Sequence, residues 1–333
     1  MHLHESIIFL SLYVRNKKNL SLMNLIKITL VVLIVSFCSS DAFAQYRFEY
    51  GGSVGIANYL GEMGGMNDPA KRFVSDMKME ATRQAASGFI RHKFHPNLYG
   101  KAEFMYLRIL GDDKLSPYLP RNARNLSFRN DMFDLNFQGQ LVFYENTDLV
   151  SDYRFRLAFR AYVGVGVGAF YSNPKAKYNG SYVALRPLKT EGVSYSPVGI
   201  TIPATMGFHF TYRKKHRFGW ELNWRTTFTD YLDDVSSSWG DPANMSATGA
   251  ALSNRTPELD PTQFPPGFLN NFGFRPENKS NMRGDKTHKD SYITMNFSYS
   301  RVIRGKSSFY RSRYGSFFNK KGRSKMRKIR AKF

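Results

Sequence analysis

The segment 289–304, KDSYITMNFSYSRVIR, alternates apolar and polar residues. Ile293, Met295, Phe297 and Tyr299 hold the odd positions, and threonine, asparagine or serine fills the even positions between them. Because successive side chains of a strand point to opposite faces, this pattern predicts a ribbon with one apolar and one polar face. Strands of outer-membrane β-barrels have such a pattern over about ten residues, with the apolar face toward lipid. One strand cannot close a barrel, so this interpretation requires the same pattern elsewhere in the chain.

Seven further segments carry a similar alternation, which is weakest at 83–94. They span residues 46–60, 83–94, 98–110, 127–146, 153–171, 199–213 and 217–230. The connections alternate between long ones, at 61–82, 111–126, 172–198 and 231–288, and short ones, at 95–97, 147–152 and 214–216. Outer-membrane barrels have short periplasmic turns, long extracellular loops and periplasmic termini. The sequence therefore predicts an all-β fold, an eight-stranded antiparallel transmembrane β-barrel of the outer-membrane type. The alternative is a soluble lipocalin-like barrel, which would have the reverse polarity.

The N-terminal region predicts an export signal. Residues 25–37 are apolar, Lys27 lies near their start, and Ala42-Phe43-Ala44 follows as a cleavage site. We expect residues 1–44 to comprise an extension, with Met23 as an alternative start, and a signal peptide cleaved after Ala44. Cys38 would permit a lipoprotein signal, but Phe37 is a poor residue before a lipidated cysteine. Cleavage after Ala44 would leave a mature chain without cysteine, hence without disulfides or thiol chemistry.

The barrel is predicted to occupy residues 45–304, and residues 305–333 form a basic tail. The formal charge of the chain is +22, and the tail contains eleven Lys or Arg residues and no acid. Such a run is either a solvated tail or a contact for an acidic partner or an anionic surface. Nucleic acid is not expected as a partner, because nothing upstream resembles a nucleic-acid-binding module. The candidate docking residues are Lys320, Lys321, Arg323, Lys325, Arg327, Lys328 and Arg330.

Charged side chains dominate the polar faces, which would line the lumen. The inward set is Arg47, Glu49, Arg91, Lys93, Lys101, Glu103, Asp134, Arg154, Arg156, Arg160, Glu221 and Arg225. An eight-stranded barrel is just wide enough for side chains to fill it. We therefore expect a network of ion pairs, with His209 as a member, and a narrow conducting pore as the alternative. Glycines at 164, 166 and 168 should make room for bulky neighbours, and Pro203 should cause a bulge or gap in the sheet.

Acidic residues at two predicted strand ends raise the possibility of an enzyme. Asp230, Asp233 and Asp234 follow the seventh strand, and Asp112 and Asp113 follow the third. Paired carboxylates at the outer rim could activate a water or bind a cation. Aspartates at strand ends also serve as caps and turn residues, which is the interpretation favoured here. No cofactor or metal is predicted, and the GVGVG run at 164–168 lacks the following helix that a phosphate-binding loop requires.

Several stretches carry a family resemblance. They are SNPKA at 172–176, YVALRPLKTEG at 182–192, Ile202-Pro203, FTDYLDDVS at 228–236, residues 51–61 ending in YLG, and RNLSF at 124–128. They resemble the PorG-like outer-membrane β-barrel family, which is associated with the type IX secretion system of Bacteroidota. The residues that carry the resemblance include Asn173, Pro174, Lys175, Leu185, Pro187, Thr229, Asp230, Tyr231, Asp233 and Asp234.

The resemblance implies a small, non-enzymatic barrel in the outer membrane of a Gram-negative, Bacteroidota-type bacterium, with periplasmic termini. Its partners would be outer-membrane lipid and the periplasmic ring proteins of a protein-secretion machine. No catalytic residue or cofactor is implied.

Overall fold

The computed structural model describes residues 48–63, 77–146, 157–213, 215–275, 282–287 and 289–303. The predicted signal peptide, the basic tail, the connection at 147–152 and the lumen candidates Arg47, Arg154 and Arg156 lie outside the described residues.

The described chain contains ten strands. They are β1 (Phe48–Leu60), β2 (Arg83–His95), β3 (Leu98–Asp112), β4 (Ser127–Asn146), β5 (Leu157–Tyr171), β6 (Pro174–Tyr178), β7 (Ser181–Ala184), β8 (Val198–Tyr212), β9 (His216–Thr227) and β10 (Ser291–Ile303). Eight strands pair in the order β3-β2-β1-β10-β9-β8-β5-β4, and β3 also pairs with β4. All of these pairs are antiparallel, so the sheet closes into the predicted eight-stranded barrel.

The loops contain more structure than the sequence predicted. Strands β6 and β7 form a hairpin in the loop between β5 and β8, and β6 pairs with the end of β4. Its turn is Asn179-Gly180, with φ angles of 47° and 82°, the conformation that favours this dipeptide in two-residue hairpins. Two α-helices lie in other loops, α1 (Leu119–Arg124) and α2 (Ala247–Ser253). The 3-10 segments are Met79–Ala81, Asp113–Leu115, Arg186–Leu188, Pro242–Asn244, Thr256–Glu258, Pro261–Gln263 and Phe268–Asn271.

The barrel has an apolar outer wall and a polar interior. On β10, Phe297 is 65% exposed, whereas its neighbour Asn296 is 1% exposed. Val165 and Val167 of β5 are each 62% exposed, and Phe137 of β4 is 57% exposed. A soluble barrel would have the opposite arrangement, so the lipocalin-like alternative is wrong. An apolar wall of this kind is stable only against lipid. None of the helices among the described residues is long and apolar enough to cross a membrane.

Both local predictions about the sheet are confirmed. A Cβ on Gly166 would lie 2.8 Å from the Cα and 2.9 Å from the Cγ of Gln138, so only glycine allows this β4 side chain to lie across β5. The register of β5 and β8 is continuous down to Val165 opposite Ala204 and resumes at Gly168 opposite Thr201. The interruption lies beside Pro203, which has no N–H to donate.

The interior has two zones. Within the barrel, polar and charged side chains form what we call the lumen network. Toward the long loops the interior becomes apolar. Met105, Leu107 and Ile109 of β3 point into this zone and are each 0% exposed. This loop-side core comprises chiefly Tyr59, Met63, Met105, Leu107, Ile109, Leu126, Phe128, Met132, Phe170, Leu185, Leu232, Val235, Leu252 and Tyr292. The described parts of the four long loops lie on it, and we call them the loop-side cap.

Candidate functional site: the loop-side cap and the lumen network

The residues that carry the family resemblance come together in the cap. The Asn130 side chain of β4 accepts a hydrogen bond from the backbone N–H of Asn173 (2.9 Å) and donates one to the carbonyl of Leu232 (2.8 Å). The N–H of Leu185 donates to the carbonyl of Pro174 (2.9 Å), which closes the hairpin. One buried amide therefore joins the 172–176 and 228–236 stretches to the barrel wall.

A second junction is a buried carboxyl pair. The hydroxyl of Tyr59, at the end of β1, lies 2.7 Å from Oδ2 of Asp233 and 2.6 Å from Oδ1 of Asp290. A hydroxyl has one proton and can donate to only one of the two acceptors. The other carboxyl must then hold a proton of its own and donate it to the Tyr59 oxygen. Burial, together with the neighbouring Asp290 carboxylate, raises the pKa of Asp233 well above its ordinary value, and burial does the same for Asp290.

Asp234 lies in a third cluster. Its carboxylate accepts hydrogen bonds from Thr190 (2.5 Å) and Tyr195 (2.6 Å), and its carbonyl accepts one from Arg283 (2.5 Å). Burial, partly offset by Arg283, raises the pKa of Asp234 to about 6. Glu191 accepts from the backbone N–H groups of Ser236 and Ser237, both at 3.0 Å, and pairs with Arg283 at 3.2 Å.

The interpretation of the strand-end aspartates as caps and turn residues is confirmed for Asp112 and Asp233, since Asp233 accepts the backbone N–H of Val235 at 2.9 Å. The other three are buried acceptors of hydrogen bonds from other groups. Asp112 accepts from the backbone N–H of Lys114 (3.0 Å), and Asp113 binds Arg124 through two nitrogens at 2.8 and 2.9 Å. Asp230 accepts from Ser236 Oγ (2.6 Å). The three aspartates Asp230, Asp233 and Asp234 are 3%, 0% and 1% exposed. Within the described ranges no group of three His, Cys, Asp or Glu residues is placed to hold a metal ion.

The predicted lumen network is confirmed among the described residues. Glu221 is its centre, because its carboxylate lies 2.5 Å from Lys101 Nζ and 2.9 Å from Arg91, and it accepts a hydrogen bond from Tyr162 (2.5 Å). Glu49 pairs with Arg91 at 2.9 Å and also with Arg217. Glu103 pairs with Lys101 at 3.1 Å, and Arg225 lies 3.4 Å from Glu103 and 3.5 Å from Asp134. Such buried ions are stabilised only by one another, so removing one leaves its partner uncompensated.

Among the described residues His209 makes no hydrogen bond within this network, and the expectation of its membership stays a prediction. Its ring lies 5.5 Å from the ring of Tyr162, measured between centroids. Neither of its nitrogens has a hydrogen-bond partner in the described part of the chain.

Sequence reasoning missed Tyr59, Glu62, Arg124, Glu191, Arg283 and Asp290 as members of the cap. Alternation does place Tyr59 on the inward face of β1, which was an available signal. The other five lie in loops or in α1, where no period indicates direction.

A closed antiparallel barrel with an apolar outer wall, a charged interior and structured loops at one end defines an outer-membrane-type β-barrel protein. Residues 27–247 match the family described as "Domain of unknown function (DUF6089)", and the chain belongs to that family.

Two solved structures of Ail, the attachment invasion locus protein of Yersinia pestis, are similar at TM-scores of 0.30 and 0.27. The first contains the heparin analogue sucrose octasulfate. Sequence identity is 7% and 10%, and each comparison covers 77% of this chain and 98% or 99% of Ail. No curated protein matches the sequence.

Proposed function

We propose that this protein is a non-enzymatic outer-membrane component of a protein-secretion machine of the type IX class, in a Bacteroidota-type bacterium. Its barrel would anchor the machine in the outer membrane, and its periplasmic turns and basic tail would dock periplasmic ring proteins. The resemblance of the 172–192 and 228–236 stretches to the PorG-like family motivates the proposal.

The observation that carries the proposal is that the motif residues serve the architecture. Asn173, Pro174 and Leu185 fold the hairpin onto β4, and Asp233 and Asp234 are buried acceptors within the cap. The interior below them is filled by the lumen network. A barrel built in this way offers a partner its rims, its outer wall and its terminal segments, which suits docking better than turnover of a substrate.

The enzyme alternative requires solvent access to carboxylates that are almost fully buried. Replacing Asp230, Asp233 and Asp234 together by asparagine would abolish an activity at this site, while heat-modifiable gel mobility would report whether the barrel still folds. The structure gives no observation that favours this alternative over docking.

The docking proposal is tested by crosslinking in intact cells, followed by pull-down from detergent-solubilised membranes. Three chains are compared: the full chain, a chain lacking residues 305–333, and a chain in which the seven candidate tail cations are replaced by glutamine. The glutamine chain keeps the length of the tail and removes its charge. Recovery of secretion-system ring proteins with the full chain, reduced in both variants, is the expected result. Recovery of no secretion component with the full chain would overturn the proposal.

A further inference from the structure

A group of polar side chains in the lumen has buried atoms that lack a hydrogen-bond partner among the described residues. It lies at the turn-side mouth, the end of the lumen next to the β2–β3 and β8–β9 turns. We call it the arginine–histidine layer, and its members are Arg91, Arg160, His209, Thr211 and Arg217. Both ring nitrogens of His209, the Nε atoms of the three arginines and the hydroxyl of Thr211 are buried there without a hydrogen-bond partner among the described residues.

Four members of the layer lie on the neighbouring strands β5, β8 and β9, and Arg91 of β2 reaches that side of the lumen through Glu221 and the Tyr162 ring. Arg160 of β5 is the register partner of His209 on β8, and Thr211 of β8 is the register partner of Arg217 on β9. The register partner of His209 on β9 is Gly219, so no side chain projects from β9 between Arg217 and Glu221.

The aromatic rings hold the layer in place. The guanidinium carbon of Arg91 lies 5.3 Å from the centre of the Tyr162 ring, and that of Arg217 lies 6.0 Å from the centre of the Tyr99 ring. Arg160 donates to the hydroxyl of Tyr99 at 2.7 Å. These rings orient the arginines and supply no negative charge for the unpartnered nitrogens.

The charge at this mouth is unbalanced in the described residues. The cations are Arg91, Lys93, Arg160 and Arg217, and the carboxylates that contact the three arginines are Glu49, Glu145 and Glu221. Glu49 serves two of the arginines, and Glu145 lies 2.5 Å from Arg160. Glu221 contributes a further contact to Arg91 but also neutralises Lys101. Positive charge therefore remains where the unpartnered donors are.

We propose that the arginine–histidine layer binds a phosphate group that enters the lumen from its turn side. Guanidinium groups are well matched to phosphate oxygens, and charge-assisted hydrogen bonds to them are stronger than those to water. A phosphate would accept from the free Nε atoms, from an imidazole nitrogen and from the Thr211 hydroxyl, and would offset the excess charge. Water would satisfy the donors but leave that charge in place. The group could belong to a free ion or to a larger phosphorylated molecule.

The test uses the full chain in detergent micelles with its histidine rings labelled with nitrogen-15. Inorganic phosphate is titrated against chloride at constant ionic strength, and the His209 signal is assigned with His209→Phe. A saturable shift of the His209 nitrogens is expected. Arg160→Gln should weaken the affinity about tenfold or more, the loss of about one charge-assisted contact. Arg108→Gln should leave it unchanged, because Arg108 pairs with Asp131 toward the loop end of the barrel.

The absence of a saturable shift would overturn the proposal. So would equal affinities in the wild type and in Arg160→Gln, because the effect would then not come from the layer. If His209→Phe changes the free energy of unfolding by the same amount with and without phosphate, phosphate does not bind at His209. That result would also overturn the proposal. Competition by glycerol 3-phosphate would indicate that the group can be carried by a larger molecule, whereas saturation by inorganic phosphate alone would indicate the free ion. Heat-modifiable mobility confirms in each case that the variant is folded.

Discussion

Replacing Glu62 by glutamine should stabilise the loop-side cap at alkaline pH and change it little at acid pH. Glu62 lies just beyond β1 and is 7% exposed. One of its oxygens accepts the backbone N–H of Asp285, and the other has no partner in the described structure. Burial outweighs the attraction of Arg124 and raises the pKa of Glu62 from 4.5 to about 7.

The direction of the effect follows from proton binding. A folded-state pKa above the unfolded value means that the folded chain binds more protons between the two values. The stability that Glu62 contributes is therefore fully present below pH 4.5 and is lost as the pH rises through about 7. With these values, ionised Glu62 costs the fold about 3 kcal/mol at pH 8 and under about 1 kcal/mol at pH 5. Glutamine keeps an oxygen for the Asp285 N–H and has no charge, so Glu62→Gln should recover that difference.

Trp239 provides the assay, because it is 4% exposed in the cap and Arg283 lies 5.8 Å from its ring centre. The chain has three tryptophans, and replacing Trp220 and Trp224 by phenylalanine leaves Trp239 as the reporter. Denaturant titrations followed by its fluorescence at pH 5, 6, 7 and 8 give the free energy of unfolding. Asp260→Asn is the matched control, because this carboxylate is exposed and lies in the same loop as Trp239. An equal gain at every pH, or no gain at pH 8, would refute the reasoning.

Three further outcomes are expected. Lys101→Met leaves Glu221 with less compensation inside the barrel and should cost about 3–5 kcal/mol in urea unfolding; a loss below about 1 kcal/mol would contradict the lumen network. Gly166→Ala should reduce the folded, heat-modifiable fraction because its Cβ meets the β4 backbone, whereas Gly139→Ala should be tolerated, since its nearest contact would be 3.9 Å away; equal behaviour would count against the glycine packing. The purified barrel should show no discrete conductance in planar bilayers, and stepwise currents would show that the lumen network does not close the pore.

The barrel could be predicted from the sequence because alternation reports directly which face of a strand each side chain occupies. Phe297 and Glu221 point outward and inward as their parity requires. Alternation is also local, so it remains readable even when the strand's partners are unknown. The strand count and the side on which each connection lies follow from the same pattern with no knowledge of long-range contacts.

The cap could be predicted only in part because its contacts join residues far apart in the chain. Tyr59 meets Asp233 and Asp290 across 174 and 231 positions, and no period links a loop residue to such a partner. The sequence singled out Asp233 as an acid at the rim but gave no indication that it is buried beside a second carboxyl. One signal was readable, because in the run FMYLRIL at 104–110 the inward positions 105, 107 and 109 are all apolar where β3 enters the loop-side core.

The two ends of the interior differ in the sign of the charge that they bury. Among the described residues the cap buries more carboxyls than cations, and it reduces their cost by keeping protons on some of them, as the shared hydroxyl of Tyr59 requires. Among its described residues the turn-side mouth holds more cations than carboxylates, and arginine cannot lose its proton to reduce the cost. The cap can therefore adjust its own charge with pH, whereas the described residues of the mouth keep their positive charge and would be neutralised by a bound anion. This difference in chemistry is the physical reason to look for a bound phosphate group at the turn side and for a dependence on pH at the loop side.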